Sequence, residues 1–156
     1  GDVWFIGVNS ARANRWSWDA TGLVAAAELD RLARLLTELS PGPRILVTHY
    51  PIALKDGSPE APSHGLVNLD AVLAVAKRGS IACWLHGHRH GFYRLDNPLG
   101  CGIPAICIGS ATQLGNYCYG DYAITAEGLS ATCRIYDPAL HEFRDGGKFD
   151  IDLSRR

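Results

Sequence analysis

Apolar positions along this chain fall into short continuous runs that alternate with stretches of helical spacing. The run Val3-Trp-Phe-Ile-Gly-Val8, closed by Asn9-Ser10, predicts a buried strand over residues 3–9. A polar stretch carrying Trp16 and Trp18 follows as a loop. From Leu23 to Leu39 the spacing turns helical, with Leu29, Leu32, Leu35, Leu36 and Leu39 on one face and Arg31, Arg34 and Glu38 on the other. Pro41-Gly42-Pro43 stops that helix. Arg44-Ile-Leu-Val-Thr48 is a second buried strand, followed by a long loop over 52–66. Asn68 suits the cap of a helix over 69–78, in which Leu69, Val72, Leu73 and Ala76 share a face and which Gly79 ends. Ile81-Ala-Cys-Trp-Leu85 is the third buried strand. The order β-α-β-α-β implies parallel strands joined by crossover helices.

Beyond His90 the runs become short: 91–95, 103–108, 119–125, 129–136 and a last one at 141–144. Gly, Asn and Pro turns separate them, and Glu127-Gly128 reads as the turn of a hairpin. This half is expected to be an antiparallel meander. With no repeat or low-complexity tract, the chain reads as one α/β domain over 1–156.

Composition narrows the function classes. Apolar residues make up 47% and charged residues 20% of the 156, values of an ordinary globular domain, and the formal net charge is −1. Basic residues are scattered, so no nucleic-acid footprint or polybasic membrane patch is predicted. No apolar run approaches the roughly 20 residues that span a bilayer. The five cysteines are odd in number, lack CxxC spacing and in part sit inside apolar runs, which predicts buried thiols and a reducing compartment such as the cytoplasm. The chain contains no Met and opens directly into a strand, so Gly1 reads as an arbitrary edge.

Chemistry is concentrated in histidine. His49-Tyr50-Pro51 follows the second strand and His86-Gly-His-Arg-His90 follows the third, both at the edge where open α/β sheets gather ligands. Imidazole is the commonest metal-binding side chain. His88 and His90 would face opposite sides of a straight strand, but a backbone turn lets them converge, and Gly87 is expected to supply it. A single histidine after a strand is more often a surface or satisfied core residue. The joint pattern makes His49, His88 and His90 the candidate metal ligands. His86 is expected to point away, His64 to be a solvated loop residue, with an approach to a phosphate as the alternative, and His141 to lie on the surface. Tyr50 and Arg89 border the site. Trp16 and Trp18 are expected to serve as hydrophobic anchors, with packing over the cleft as the alternative, and Asp121 as a turn residue.

The joint pattern resembles the calcineurin-like metallophosphoesterase family, where a strand ending in HxP precedes a helix and a strand ending in GHxH. The matching segments are Ile45-Leu-Val-Thr-His49-Tyr-Pro51 and Trp84-Leu-His-Gly87-His88-Arg-His90. Phe5-Ile-Gly-Val-Asn-Ser10, Ile103–Ala111, the closing hairpin and Phe143 also fit, so the likeness spans nearly the whole chain, although only the histidine motifs are specific. The resemblance implies a four-layer α/β/β/α sandwich and a pair of divalent ions (Mn, Fe or Zn) about 3.5–4 Å apart. His49 and His88 would ligate one ion and His90 the other. The implied reaction is hydrolysis of a phosphomonoester or phosphodiester.

The departure from the family is equally specific. Its DxH, GD and GNH[DE] motifs, which bring the bridging Asp and the catalytic His, lie upstream of the matched region. Gly1-Asp2 opens the wrong strand to serve as the GD motif, and Asn9 lacks the Gly and His neighbours of GNH. Three imidazoles without a carboxylate do not offset the repulsion of two close divalent ions. The chain is therefore expected to be an N-terminally truncated domain, inactive alone and holding one ion weakly, whose intact parent is the enzyme. Two other readings stand beside it: a mononuclear zinc hydrolase using three histidines, and a non-catalytic scaffold with the phosphoesterase fold.

Overall fold

The first apolar run becomes β1 (Trp4–Gly7), which pairs in parallel with β2 (Arg44–Thr48), Ile6 opposite Leu46. The computed structural model describes residues 2–125 and 128–153. β2 pairs in parallel with β3 (Cys83–His86), Thr48 opposite His86. The crossovers are the two expected helices, α1 (Ala26–Glu38) and α2 (Leu69–Arg78). Gly79, just after α2, permits their close approach, because a Cβ there would overlap the Leu36 side chain.

The expected meander is corrected in its first half. β4 (Phe92–Leu95) and β5 (Ala105–Ile108) join the parallel sheet, whose order is β1-β2-β3-β5-β4, with β5 parallel to β3 and β4 antiparallel at the edge. Burial explains the choice. Ala105, Ile106 and Cys107 are fully buried and suit the slot beside β3 that is covered on both faces, whereas β4 is mostly half-buried and suits an edge.

The remaining strands form the antiparallel three-stranded sheet β6-β7-β8: β6 (Cys118–Ile124), β7 (Gly128–Asp137) and β8 (Glu142–Asp152). The hairpin pairs Ile124 with Leu129, while Glu127 lies outside the described residues. β8 is far longer than the predicted 141–144. Its exposed Gly146-Gly147 stretch carries no strand pattern and is held by pairing with β7 through an irregular register between Thr132 and Arg134. Asp121 is corrected from turn to strand: it lies in β6 and pairs with the Arg134 guanidinium at 3.0 Å.

Two cores lie on the two faces of the larger sheet. One packs Leu32, Leu36, Val72 and Ala76 of the helices on Leu46, Trp84 and Ala105. The other packs Ile45, Cys83, Leu85 and Ile106 against Leu129, Ala131 and Ile151 of the smaller sheet. The layers are thus α/β/β, three of the four in the expected sandwich. Among the described residues no helix covers the outer face of the smaller sheet. Leu35, expected on the packed face of α1, is 39% exposed. Asn68 stands at the N-cap of α2 as expected, but its side chain makes no capping hydrogen bond. Its side-chain amide instead brackets the Val24 backbone, accepting from Val24 N at 3.1 Å and donating to Val24 O at 2.8 Å. All five cysteines are buried, and none forms a disulfide among the described residues. No helix among the described residues is long and apolar enough to cross a membrane.

Candidate metal centre

Because β2 and β3 run parallel with Thr48 opposite His86, the residues that follow them emerge side by side. Gly87 N–H donates to His49 O at 3.1 Å, prolonging the ladder by one rung into the site. The His49 and His88 rings meet edge to face with centroids 5.1 Å apart, and His49 Nε2 lies 3.2 Å from His88 Nδ1. The turn is not made as expected, since Gly87 has no positive φ. The left-handed conformation falls on the histidines themselves, at φ 66° for His88 and 50° for His90. A Cβ on Gly87 would only reach ordinary contact with His49 Nδ1, at 3.7 Å.

The donor set fits one ion better than two. Tetrahedral zinc with Zn–N bonds of 2.0–2.1 Å places its nitrogen ligands roughly 3.3 Å apart, close to the observed separation of the two ring nitrogens. His90 stands apart from this pair. Its Nδ1 faces Gln113 Oε1 at 2.7 Å, so that Nδ1–H donates and Nε2 is the nitrogen left to face a ligand. Among the described residues no group of three or more His, Cys, Asp or Glu side chains is placed to hold one ion. The carboxylate nearest in chemistry, Glu60, is engaged by Arg89. A pair of divalent ions needs carboxylates that these residues do not offer.

Two loops build the rim. The segment after β1 is tied in by Ser10, whose Oγ accepts from His49 N at 3.3 Å, and by Gly22, where a Cβ would overlap the Tyr50 ring. The loop before α2 is tied in by the Glu60–Arg89 ion pair and carries His64, whose ring centroid is 6.4 Å from that of His88. Burial pushes the Glu60 carboxyl up, but hydrogen bonds from Arg89 and from Ala61 N, with the Arg89 charge, bring it below its usual range. Tyr50 packs against both rings, 5.0 Å from His49 and 4.9 Å from His88. Beside Arg89 opens a cavity of about 660 Å³, lined also by Leu54, Lys55, Asp56, Gly91 and Tyr93. Ser10, Glu60, Gln113 and Asn116, which donates to His90 O at 3.2 Å, were not singled out by the sequence. Their shared signal is position, in loops that gather at one edge of the sheet.

Among solved structures, the chain is similar to a dimetal phosphatase from Danio rerio, with a TM-score of 0.60 at 17% identity over 85% of this chain. The fold is a metallophosphoesterase fold. The chain spans 40% of the length of that phosphatase. Weaker likenesses link it to Vps29 from Entamoeba histolytica, as a single mutant, at TM-score 0.41 and 13% identity over 96% of this chain and 99% of that one. Vps29 from Chaetomium thermophilum gives TM-score 0.41 and 13% identity over 96% and 97%. Both are too distant to carry an argument. No protein-family model and no curated protein matches the sequence.

Within this metallophosphoesterase fold, burial disfavours the charged forms of His49, His86 and His88. Burial, then the charge of His90, lowers the His49 pKa. Burial, followed by His49 and Arg89, takes His88 down to about 4. His86, as expected, points away from the pair: it is fully buried, edge-on to Tyr93, with Nδ1 donating to Gly87 O at 3.1 Å. Burial lowers its pKa to about 4. An unfolded His86 binds a proton below about 6.5 that the folded one refuses, so folding stability falls with pH from about 6.5 toward 4. The expected loss in metal-free protein is on the order of 3 kcal/mol. Urea midpoints that do not move between pH 7.5 and 5 would contradict it. His141 lies exposed in the β7–β8 turn, with Nδ1 3.2 Å from Tyr136 Oη.

The positive φ angles carry a second expectation. A left-handed non-glycine residue costs roughly 1–2 kcal/mol, and Asn tolerates that region better than His. His90→Asn should therefore stabilise the metal-free fold by about 0.5–1 kcal/mol while weakening metal binding. Urea unfolding showing a loss of stability in this variant would remove the strain argument.

Proposed function

We propose that this chain is the HxP–GHxH half of a metallophosphoesterase whose intact form hydrolyses phosphomonoesters or phosphodiesters. The observation that carries the reading is the 3.2 Å approach of His49 Nε2 to His88 Nδ1 at the ligand-gathering edge of a fold shared with a dimetal phosphatase. In this reading His49 and His88 hold one divalent ion, and His90 offers Nε2 to the other. When bound, the ions polarise phosphoryl oxygens and offset the charge that develops on them. The missing carboxylates come from outside this segment.

The chain's other residues prepare the site. Gln113 fixes the His90 tautomer, and Tyr50 screens one side of the histidine pair from water. The Arg89–Glu60 pair holds the loop over 52–66 against the GHxH turn. Lys55 brings positive charge to the adjoining cavity. A mononuclear three-histidine centre would require His90 to join the other two on one ion, and no such group occurs among the described residues.

The test is hydrolysis of bis-p-nitrophenyl phosphate and p-nitrophenyl phosphate by the intact protein, stripped with chelator and restored with Mn²⁺ or Zn²⁺. Restored activity supports the proposal. A folded intact protein that hydrolyses neither ester with any of these ions overturns it and favours an interaction scaffold.

A further inference from the structure

Two indoles stand in solvent on the loop between β1 and α1. Trp16 is 51% exposed and Trp18 65%, so neither is the hydrophobic anchor the sequence suggested. Their rings stack nearly parallel, 11° between planes with centroids 5.1 Å apart, and the Arg15 guanidinium lies 5.2 Å from the Trp16 ring centroid. Trp18 therefore shares one face with Trp16.

The loop that displays them is closely tied. Arg12 bridges to Asp19 at 2.9 Å and to Asn14 Oδ1 at 2.7 Å. Asn14 Nδ2 donates to Thr21 O at 3.0 Å, and Asp19 Oδ1 accepts from Thr21 N at 3.0 Å and from its hydroxyl at 2.6 Å. Both ends are tied to the centre, Ser10 on the His49 backbone and Gly22 against the Tyr50 ring. Ala20 N donates to Ser63 O at 2.8 Å, beside His64. Trp18 is two residues from Ala20, a reach of at most about 7 Å of chain. An exposed pair of aromatic rings on a pre-ordered rim is a stacking platform whose conformational cost is met before binding.

We propose that the Trp16–Trp18 pair binds a planar heterocycle carried by the phosphoester, so that the substrate is a nucleotide-like ester; this rests on the phosphoesterase reading. Two indoles fall far short of the roughly 1,200 Å² a stable protein–protein interface buries, which favours a small ligand. A heterocycle stacked on Trp18 extends the parallel stack by one ring.

The experiment follows indole fluorescence of the intact protein, in chelator, titrated with adenosine 5′-monophosphate, ribose 5-phosphate and inorganic phosphate. The nucleotide should quench saturably, and Trp18→Ala should weaken its binding about tenfold or more, while Trp18→Phe recovers most of the loss. In the metal-restored protein, Trp18→Ala should lower about tenfold the ratio of kcat/KM for a nucleoside p-nitrophenyl phosphodiester to that for methyl p-nitrophenyl phosphate. Equal binding of ribose 5-phosphate and the nucleotide, or an unchanged ratio with unchanged quenching, overturns the platform and leaves the phosphoesterase reading standing. Trp18-dependent quenching in a protein that hydrolyses neither ester keeps the platform and overturns the phosphoesterase reading.

Discussion

His88→Ala lowers kcat/KM for phosphodiester hydrolysis by the intact protein about 10³-fold, and His49→Ala does the same. In the proposed centre the two imidazoles act as one binding unit, with facing nitrogens 3.2 Å apart, so removing either takes away half of this chain's share of that ion's ligands. Loss of the charge that stabilises a developing phosphoryl transition state commonly costs 10²–10³ or more. Groups that act as a unit are strongly non-additive, so the double variant should be no worse than either single one. His141→Ala, in an exposed turn of the other sheet, should leave the rate unchanged. Steady-state kinetics on metal-restored protein decide it, and additive losses would mean that the histidines act separately.

The largest stability effect is expected at Trp84. It is fully buried under the helices, and its Nε1–H donates to Thr48 Oγ1 at 2.8 Å. The Thr48 hydroxyl in turn donates to Tyr50 O at 2.8 Å, so one short chain of hydrogen bonds joins the core to the turn that bears His49. Trp84→Ala should cost about 3–5 kcal/mol, through lost apolar burial and the cavity left behind. Folding stability of a typical domain totals only about 5–15 kcal/mol, so this variant sits near the unfolding threshold. Trp84→Phe keeps most of the packing, removes the donor and should cost about 1–2 kcal/mol. Urea denaturation of both variants checks the order. Equal losses would mean that the hydrogen bond, not the burial, dominates.

How far the fold could be read from the sequence varied with the length and continuity of each signal. Helical spacing over 23–39 and 69–78, and apolar runs at 3–9, 44–48 and 81–85, gave the parallel half with small errors at the ends. The short runs after His90 carry no register of their own, and burial decided which sheet each joined, so β5 was misplaced among the antiparallel strands. β8 was hidden because its exposed Gly-Gly segment depends on β7 for its pairing. At the site, the histidine motifs were legible because each closes a buried strand. The backbone strain on His88 and His90 was not, since spacing says nothing of φ. Gln113 and Glu60 were also hidden, because each reaches the site from a loop far along the chain. Trp16 and Trp18 were legible as aromatic but not as exposed.

In the proposed centre His49 and His88 together hold one metal ion. The most direct measurement is the metal retained per chain after equilibrium dialysis of the intact protein against Zn²⁺ or Mn²⁺, compared with His49→Ala and His88→Ala. Bound metal is expected in the wild type and a clear loss in both variants, with His141→Ala unaffected. Equal metal content in the wild type and the two histidine variants would contradict it.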